Sequence, residues 1–209
     1  MPKRHDTYTM LTHEDALLQR GCRAIAGIDE VGRGPLAGPV VVACVMMPLE
    51  HDAIIQGVND SKKLSEKTRE RLYDAIMERA IAVQIESADE KEIDRVNILQ
   101  ATIGCMCRAA DNLSVAPDMV LVDAVKLQCT RPTYAIVHGD AISYSIACAS
   151  IVAKVTRDRM MREYDALYPQ YGFASNKGYG SAAHIQALRT YGKCPIHRDS
   201  FLHKILADV

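Results

Sequence analysis

The sequence predicts an α/β fold, a mixed sheet flanked by helices, and three observations predict it. Apolar runs at residues 24–28, 119–122 and 134–137 lead into Asp29, Asp123 and Asp140, as strands do when they deliver carboxylates to the crevice at a sheet's carboxyl edge. Between the runs lie segments with the apolar spacing of helices, the longest at residues 143–168. The 209 residues are 48% hydrophobic and 24% charged, which suits one large domain with a sizeable core.

Taken in order, Thr12-x-x-Asp15 reads as the capped start of a short peripheral helix ending near Gly21, without chemistry. Residues 23–29 and 40–47 read as buried strands, the second rich in valine and closed by Pro48. Ser65 can cap a helix running to about Arg79, with Leu72, Ala75, Ile76 and Ala80 on one face. Residues 80–86 alternate as a third strand, Ser87-x-x-Glu90 makes a capping box, and a helix covers about 98–113. In the long helix after Ser143, Lys154, Arg157, Asp158, Arg159 and Arg162 supply the charge, and Pro169 stops it. Residues 171–180 form a mobile glycine loop, and residues 181–191 the last clear helix before a tail at 197–201.

Composition excludes several classes. The polar Met1 to Asp6 is not followed by a signal-peptide core, so a cytoplasmic, unprocessed chain is expected, and the longest apolar run, residues 40–47, is too short to span a bilayer. Seven cysteines form no C-x-x-C pair, which argues against a zinc knuckle, and Cys44, Cys105 and Cys148 read as reduced core residues. Without tryptophan and with two phenylalanines the chain has few stacking platforms for single strands. The net charge of −1 hides an asymmetry: residues 50–100 carry eight basic and twelve acidic side chains, residues 171–209 five basic and two acidic.

The chemistry centres on residues 27–39, where Asp29 and Glu30 adjoin a lone arginine and glycines whose amides can approach a ligand closely. Asp29, Glu30, Asp123 and Asp140 would converge at the sheet's edge, where crowded carboxylates either take up protons or bind divalent cations. Two Mg²⁺ ions there would suit in-line phosphodiester hydrolysis. His184 and His197 read as surface or capping histidines rather than acid or base, and the glycine spacing matches neither a P-loop nor a dinucleotide fingerprint.

The chain resembles ribonuclease HII through Gly-Ile-Asp-Glu-Val-Gly-Arg-Gly-Pro-Leu-Ala-Gly at 27 to 38, Asn-Asp-Ser-Lys-Lys-Leu-Ser at 59 to 65, and Ala-Ser-Ile-Val-Ala-Lys-Val-Thr-Arg-Asp at 149 to 158. Pro-Gln-Tyr-Gly-Phe at 169 to 173, Lys-Gly-Tyr-Gly at 177 to 180 and His-Arg-x-Ser-Phe at 197 to 201 extend the resemblance in the same order. It implies the ribonuclease H fold, five strands in order 3-2-1-4-5 with helices on both faces, over residues 1–209 as one domain: about 1–20 peripheral, about 170–209 a helical substrate-binding region. It also implies an acidic tetrad of Asp29, Glu30, Asp123 and Asp140 holding Mg²⁺ or Mn²⁺. Gly32, Arg33, Gly34 and Tyr179 would read the ribonucleotide, with Lys62 and Lys154 as further substrate contacts. The implied reaction cuts 5′ of ribonucleotides in RNA–DNA hybrids or otherwise-DNA duplexes, leaving 3′-hydroxyl and 5′-phosphate, in primer removal and ribonucleotide repair. The expected protein is a monomer without membrane contact, and a sliding clamp on the tail is left open.

The pattern departs at Ala124-Val125-Lys126, where Gly-Asn-Lys/Arg is usual, at His138 in place of lysine, and at Ser181 in place of threonine. Alanine after the ligand disfavours positive φ there, and a histidine is only partly charged near neutrality, so affinity and pH response are what these changes would touch. Two rival readings stand at this stage. Another nuclease of the same fold, such as a junction resolvase, would need the acids but not Gly-Arg-Gly beside Tyr179; an inactive hybrid-binding protein has the departures at Ala124 and His138 as its support.

Overall fold

The computed structural model describes residues 7–125 and 127–206. The polar start at Met1 to Asp6, Lys126 and the end of the tail, the place for a clamp contact, lie outside the described residues. Five strands, β1 (Ile25–Val31), β2 (Val40–Met46), β3 (Ala82–Ala88), β4 (Met119–Asp123) and β5 (Thr133–Ile136), form one sheet in the order β3-β2-β1-β4-β5. β1 sits at its centre. It pairs antiparallel with β2, Asp29 opposite Ala43, and parallel with β4, Ile28 opposite Val122. β4 and β5 are also parallel, so β1, β4 and β5 direct their carboxyl ends to the same edge.

The helices are α1 (Thr12–Gln19), α2 (Glu66–Arg79), α3 (Glu90–Val96), α4 (Ile98–Asp111), α5 (Gly139–Ile142), α6 (Tyr144–Leu167), α7 (Phe173–Asn176), α8 (Ala182–Tyr191) and α9 (Asp199–Leu206). Each face of the sheet has its own core. Ala43, Val45, Leu72, Ile76, Ile151 and Val155 join β2 to α2 and α6, while Ala26, Ile28, Val42, Cys44, Cys105 and Val122 join the other face to α4. α6 lies so close on β1 that a Cβ at Gly27 would overlap the Ser145 backbone. Ser65 caps α2 as the sequence suggests, accepting from the Thr68 amide, and Ser143 caps α6, accepting from the Ile146 amide.

Several expectations are corrected. The third strand lies two residues later than expected, and the cap that follows it is Asp89, accepting from the Glu92 amide, because Ser87 is still in the ladder opposite Val41. The first helix is not idle: Glu14, fully buried, accepts from Ser143 Oγ at 2.7 Å and the Ser145 amide at 2.9 Å, bracing the start of α6. Burial raises its pKa. Thr12 makes no cap there. Residues 171–180 are a folded segment, with Leu36 N–H donating to Gly178 O at 2.8 Å and Asn176 Nδ2 to Tyr171 O at 2.7 Å. The tail likewise continues into α9, whose first amides at Asp199 and Ser200 donate to Asp94.

Candidate active site

Asp29 and Glu30 sit near the end of the central strand and Asp123 at the end of β4 beside it. Asp140 is not at a strand end. β5 stops at Ile136, His138 turns the chain with φ 57°, and Asp140 falls in the first turn of α5. The turn is held by Gly139 N–H, which donates to Asp123 Oδ1 at 2.7 Å, so the two acids are joined through one peptide. Ala124 takes φ 51° despite its Cβ, against the expectation that alanine would avoid it; its amide donates to Ile136 O at 2.9 Å and holds the strain.

The carboxylates repel one another in a poorly solvated place. Burial, then Glu30, with Asp123 adding, holds Asp29 well above the usual range, although Ser150 and the Glu30 amide oppose this. Ser150 is itself bonded to Ser61 at 2.9 Å, which ties the Asn-Asp-Ser-Lys-Lys turn to the centre. Burial also raises Glu30, against Arg33, whose Nη1 lies 3.3 Å from Glu30 Oε1. Asp123 is raised by burial and by Asp140, and lowered by the Gly139 amide, Lys62 and His138. Lys62 reaches the site, its Nζ 3.3 Å from Asp140 Oδ2. Lys154 is instead paired with Asp158 at 2.7 Å, one turn beyond Ser150 on α6.

Among the described residues no group of three or more His, Cys, Asp or Glu side chains is arranged to hold a metal ion. The carboxylates of Asp29, Glu30, Asp123 and Asp140 are hard oxygen donors on neighbouring segments, the donor type that Mg²⁺ and Mn²⁺ favour, ions that use one or two carboxylates and complete their shells with water and substrate phosphate.

Beside the acids, residues 32–39 are shaped by two buried arginines that sequence reasoning left on a solvated helix or in a tail. Arg198, fully buried, donates from Nε to Gly38 O at 2.9 Å, from Nη1 to Arg33 O at 3.0 Å, and from Nη2 to Gly32 O at 2.6 Å and Gly38 O at 2.7 Å. Arg157 donates to Pro39 O at 2.8 Å, Lys177 O at 2.9 Å and Ala37 O at 3.1 Å. Gly32, with φ 94°, is required there because a Cβ would run into the Arg157 side chain. The loop's carbonyls are thereby drawn inward. Among the described residues the amides of Arg33 and Gly34 donate to no protein acceptor. Tyr179, about half exposed at 48%, stands opposite: its Cε1 would be 3.5 Å from a Cβ at Gly34.

His184 and His197 are not at the surface. Both are buried, with their Nε2 atoms 3.0 Å apart. Motif membership was the one available signal for Arg157, Arg198 and Ser150, since spacing alone cannot separate a buried guanidinium from a solvated one.

An α/β sheet with carboxylates on its central strand and adjoining segments, beside a loop of outward amides, defines a nuclease of the ribonuclease H class. The fold agrees with the ribonuclease H2 structure from Pyrococcus horikoshii, TM-score 0.74 at 27% identity, covering 89% of this chain and 98% of that one. The family model for ribonuclease HII matches residues 26–204. Ribonuclease HII of Acetivibrio thermocellus is 55% identical over 193 residues, 92% of this chain and 75% of the relative, and that of Enterococcus faecalis 54% over 192 residues, 92% and 74%. The chain belongs to the ribonuclease HII family and is a ribonuclease H.

Proposed function

We propose that this chain cuts the phosphodiester on the 5′ side of a ribonucleotide, in RNA–DNA hybrids and at single ribonucleotides in duplex DNA, leaving 3′-hydroxyl and 5′-phosphate. The observation that carries the reading is the unpaired amides of Arg33 and Gly34, held outward by Arg198 between the carboxylates and Tyr179. Asp29, Glu30, Asp123 and Asp140 would hold the divalent metal, Mg²⁺ or Mn²⁺, which supplies an activated water and charge stabilisation at the departing 3′ oxygen. The amides and the Tyr179 phenol recognise the 2′-hydroxyl and its sugar. Lys62 neutralises Asp140 and faces the phosphate path. Lys154, committed to Asp158, acts on substrate through the charge of that helix face.

We read the protein as a cytoplasmic monomer that removes RNA primers and embedded ribonucleotides; no helix among the described residues is long and apolar enough to cross a membrane. Incubation of a duplex with one ribonucleotide and of a four-way junction, each with Mg²⁺, Mn²⁺ or chelator, tests the reading. Metal-dependent incision 5′ of the ribonucleotide alone is the expected result; cutting of the junction, or binding without cutting, would replace it with one of the two rivals.

Side-chain roles at the sugar follow. Tyr179→Phe is expected to lower cleavage at a single ribonucleotide by about threefold to tenfold, the worth of one neutral hydrogen bond, and Tyr179→Ala by more. Gly34→Val is expected to abolish it in a protein of near-normal melting temperature. At Gly34 a Cβ meets nothing closer than 3.5 Å, so the fold accommodates it while the larger side chain fills the space facing Tyr179. Kinetics and Mn²⁺ titration of the three variants check this; lost metal binding in Gly34→Val would contradict it.

A further inference from the structure

We propose that His197 and His184 form a directional hydrogen-bond chain that positions Tyr179 for sugar recognition. The proposal rests on the reading of Tyr179 above and makes both histidines positioning residues. The direction follows from the fixed donors. His197 Nδ1 accepts the Cys194 amide N–H at 2.9 Å. The Cys194 carbonyl, 3.3 Å from the same nitrogen, already accepts the His197 amide at 3.0 Å and is the poorer partner for a ring proton. The His197 ring hydrogen is therefore on Nε2, where it donates to His184 Nε2 at 3.0 Å. That leaves the His184 hydrogen on Nδ1, donating to the Tyr179 carbonyl at 2.8 Å. Each link sets the next.

The chain ends on the residue opposite Gly34. Tyr179 is pinned by its backbone, its amide to Asn176 O at 2.9 Å and its carbonyl by Ser181 N–H at 2.8 Å as well as His184, while its phenol stays open to solvent. Both imidazoles lie 3% exposed or less among Tyr171 and Phe173, whose ring centroids are 5.0 to 6.2 Å away. An apolar pair would be easier to bury in such a place than two polar rings. What the polar pair adds is a bond aimed at one carbonyl.

The chain exists only while both rings are neutral, since a second proton on either sets N–H against N–H. The groups around it keep them so. Burial, then His184, lowers His197 to about 4, with Lys193 acting in the same direction and Asp199 against it. Burial lowers His184 also. The Cys194 thiol is 3.1 Å from His197 Nδ1, and the cavity of about 390 Å³ beside His197 is lined by Glu90, Lys91 and Asp94 of α3 and by Lys193 and Asp199. Neither ring is a reservoir of protons near neutrality.

A double-mutant cycle under saturating Mg²⁺, on a duplex with one ribonucleotide, tests the proposal. His184→Leu is expected to raise KM about tenfold with a smaller change in kcat, and to add nothing in a Tyr179→Ala background. His184→Gln, which offers an acceptor toward His197 and a donor toward the carbonyl, is expected to restore most of the loss. ¹⁵N NMR of the wild-type rings at pH 7 supplies a second readout that no folding defect can obscure: the hydrogen on Nδ1 of His184 and on Nε2 of His197. Reversed tautomers, a charged ring, unchanged cleavage in folded His184→Leu, or additive losses with Tyr179→Ala would overturn the proposal. No effect of Tyr179→Ala itself would instead remove the underlying reading of Tyr179, and the positioning role with it.

Discussion

Asp29→Asn is expected to lower cleavage by at least about a thousandfold while making the metal-free protein more stable. The first effect follows from deleting a charged ligand at the centre of the carboxylate group; the same loss is expected for Asp123→Asn. The second follows from linkage. Asp29 is almost buried and its pKa is raised, by burial first and by Glu30 next, so folding favours its protonated form. A raised carboxyl contributes stability that is fully present below its unfolded pKa and is lost as pH rises through the folded one. At neutral pH the wild type therefore bears a cost of holding this carboxyl in its buried site that asparagine lacks, while the amide keeps partners for Ser150 and the Glu30 amide. The gain in Tm should be largest at neutral and higher pH and should shrink as the pH falls toward 4. Thermal unfolding in chelator across this range reads it, and a variant less stable than wild type at pH 7.5 would contradict the electrostatic account.

Arg198→Met is expected to destabilise the fold by about 3–5 kcal/mol and to reduce kcat/KM on ribonucleotide-containing duplex more than a hundredfold. Methionine matches much of the length but donates nothing, leaving the carbonyls of Gly32, Arg33 and Gly38 without the partner that turns them inward. The amides of the same peptides then lose their outward orientation. Burial lowers the Arg198 pKa to about 9, which leaves the guanidinium charged at neutral pH, so wild type should show no loss of cleavage between pH 6.5 and 7.5 from this group. Arg198→Lys should recover little, because one ammonium cannot serve carbonyls on two sides as a planar fork does. Folded Arg198→Met that cuts at the wild-type rate would show that the carbonyls orient themselves.

What could be read from the chain, and what could not, divides along physical lines. The valine run of β2 and the apolar stripe of α6 are periodic and long, so pattern identified them to within a residue or two. Asp140 was misplaced because apolar character outruns the strand: Val137 continues the run but is 68% exposed, beyond the end of β5. The resemblance supplied the sheet order, and the tetrad residues do stand on adjoining segments at one edge. The scaffold behind the glycine loop was invisible, since Arg157 looks like its charged neighbours on α6 and only its carbonyl partners, supplied by distant segments, reveal its burial. The histidine pair is hidden in the same way: thirteen positions separate two rings that meet at Nε2.

The central claim is that outward amides at Arg33 and Gly34, with Tyr179, make a single hydroxyl decide whether the carboxylate centre acts. It is tested most directly by single-turnover cleavage, in Mg²⁺, of a duplex with one ribonucleotide against the same duplex with that 2′-hydroxyl replaced by hydrogen. A site whose polar groups go unpaired without the hydroxyl should discriminate by about 10⁴-fold or more. Rates within tenfold of each other would contradict the account.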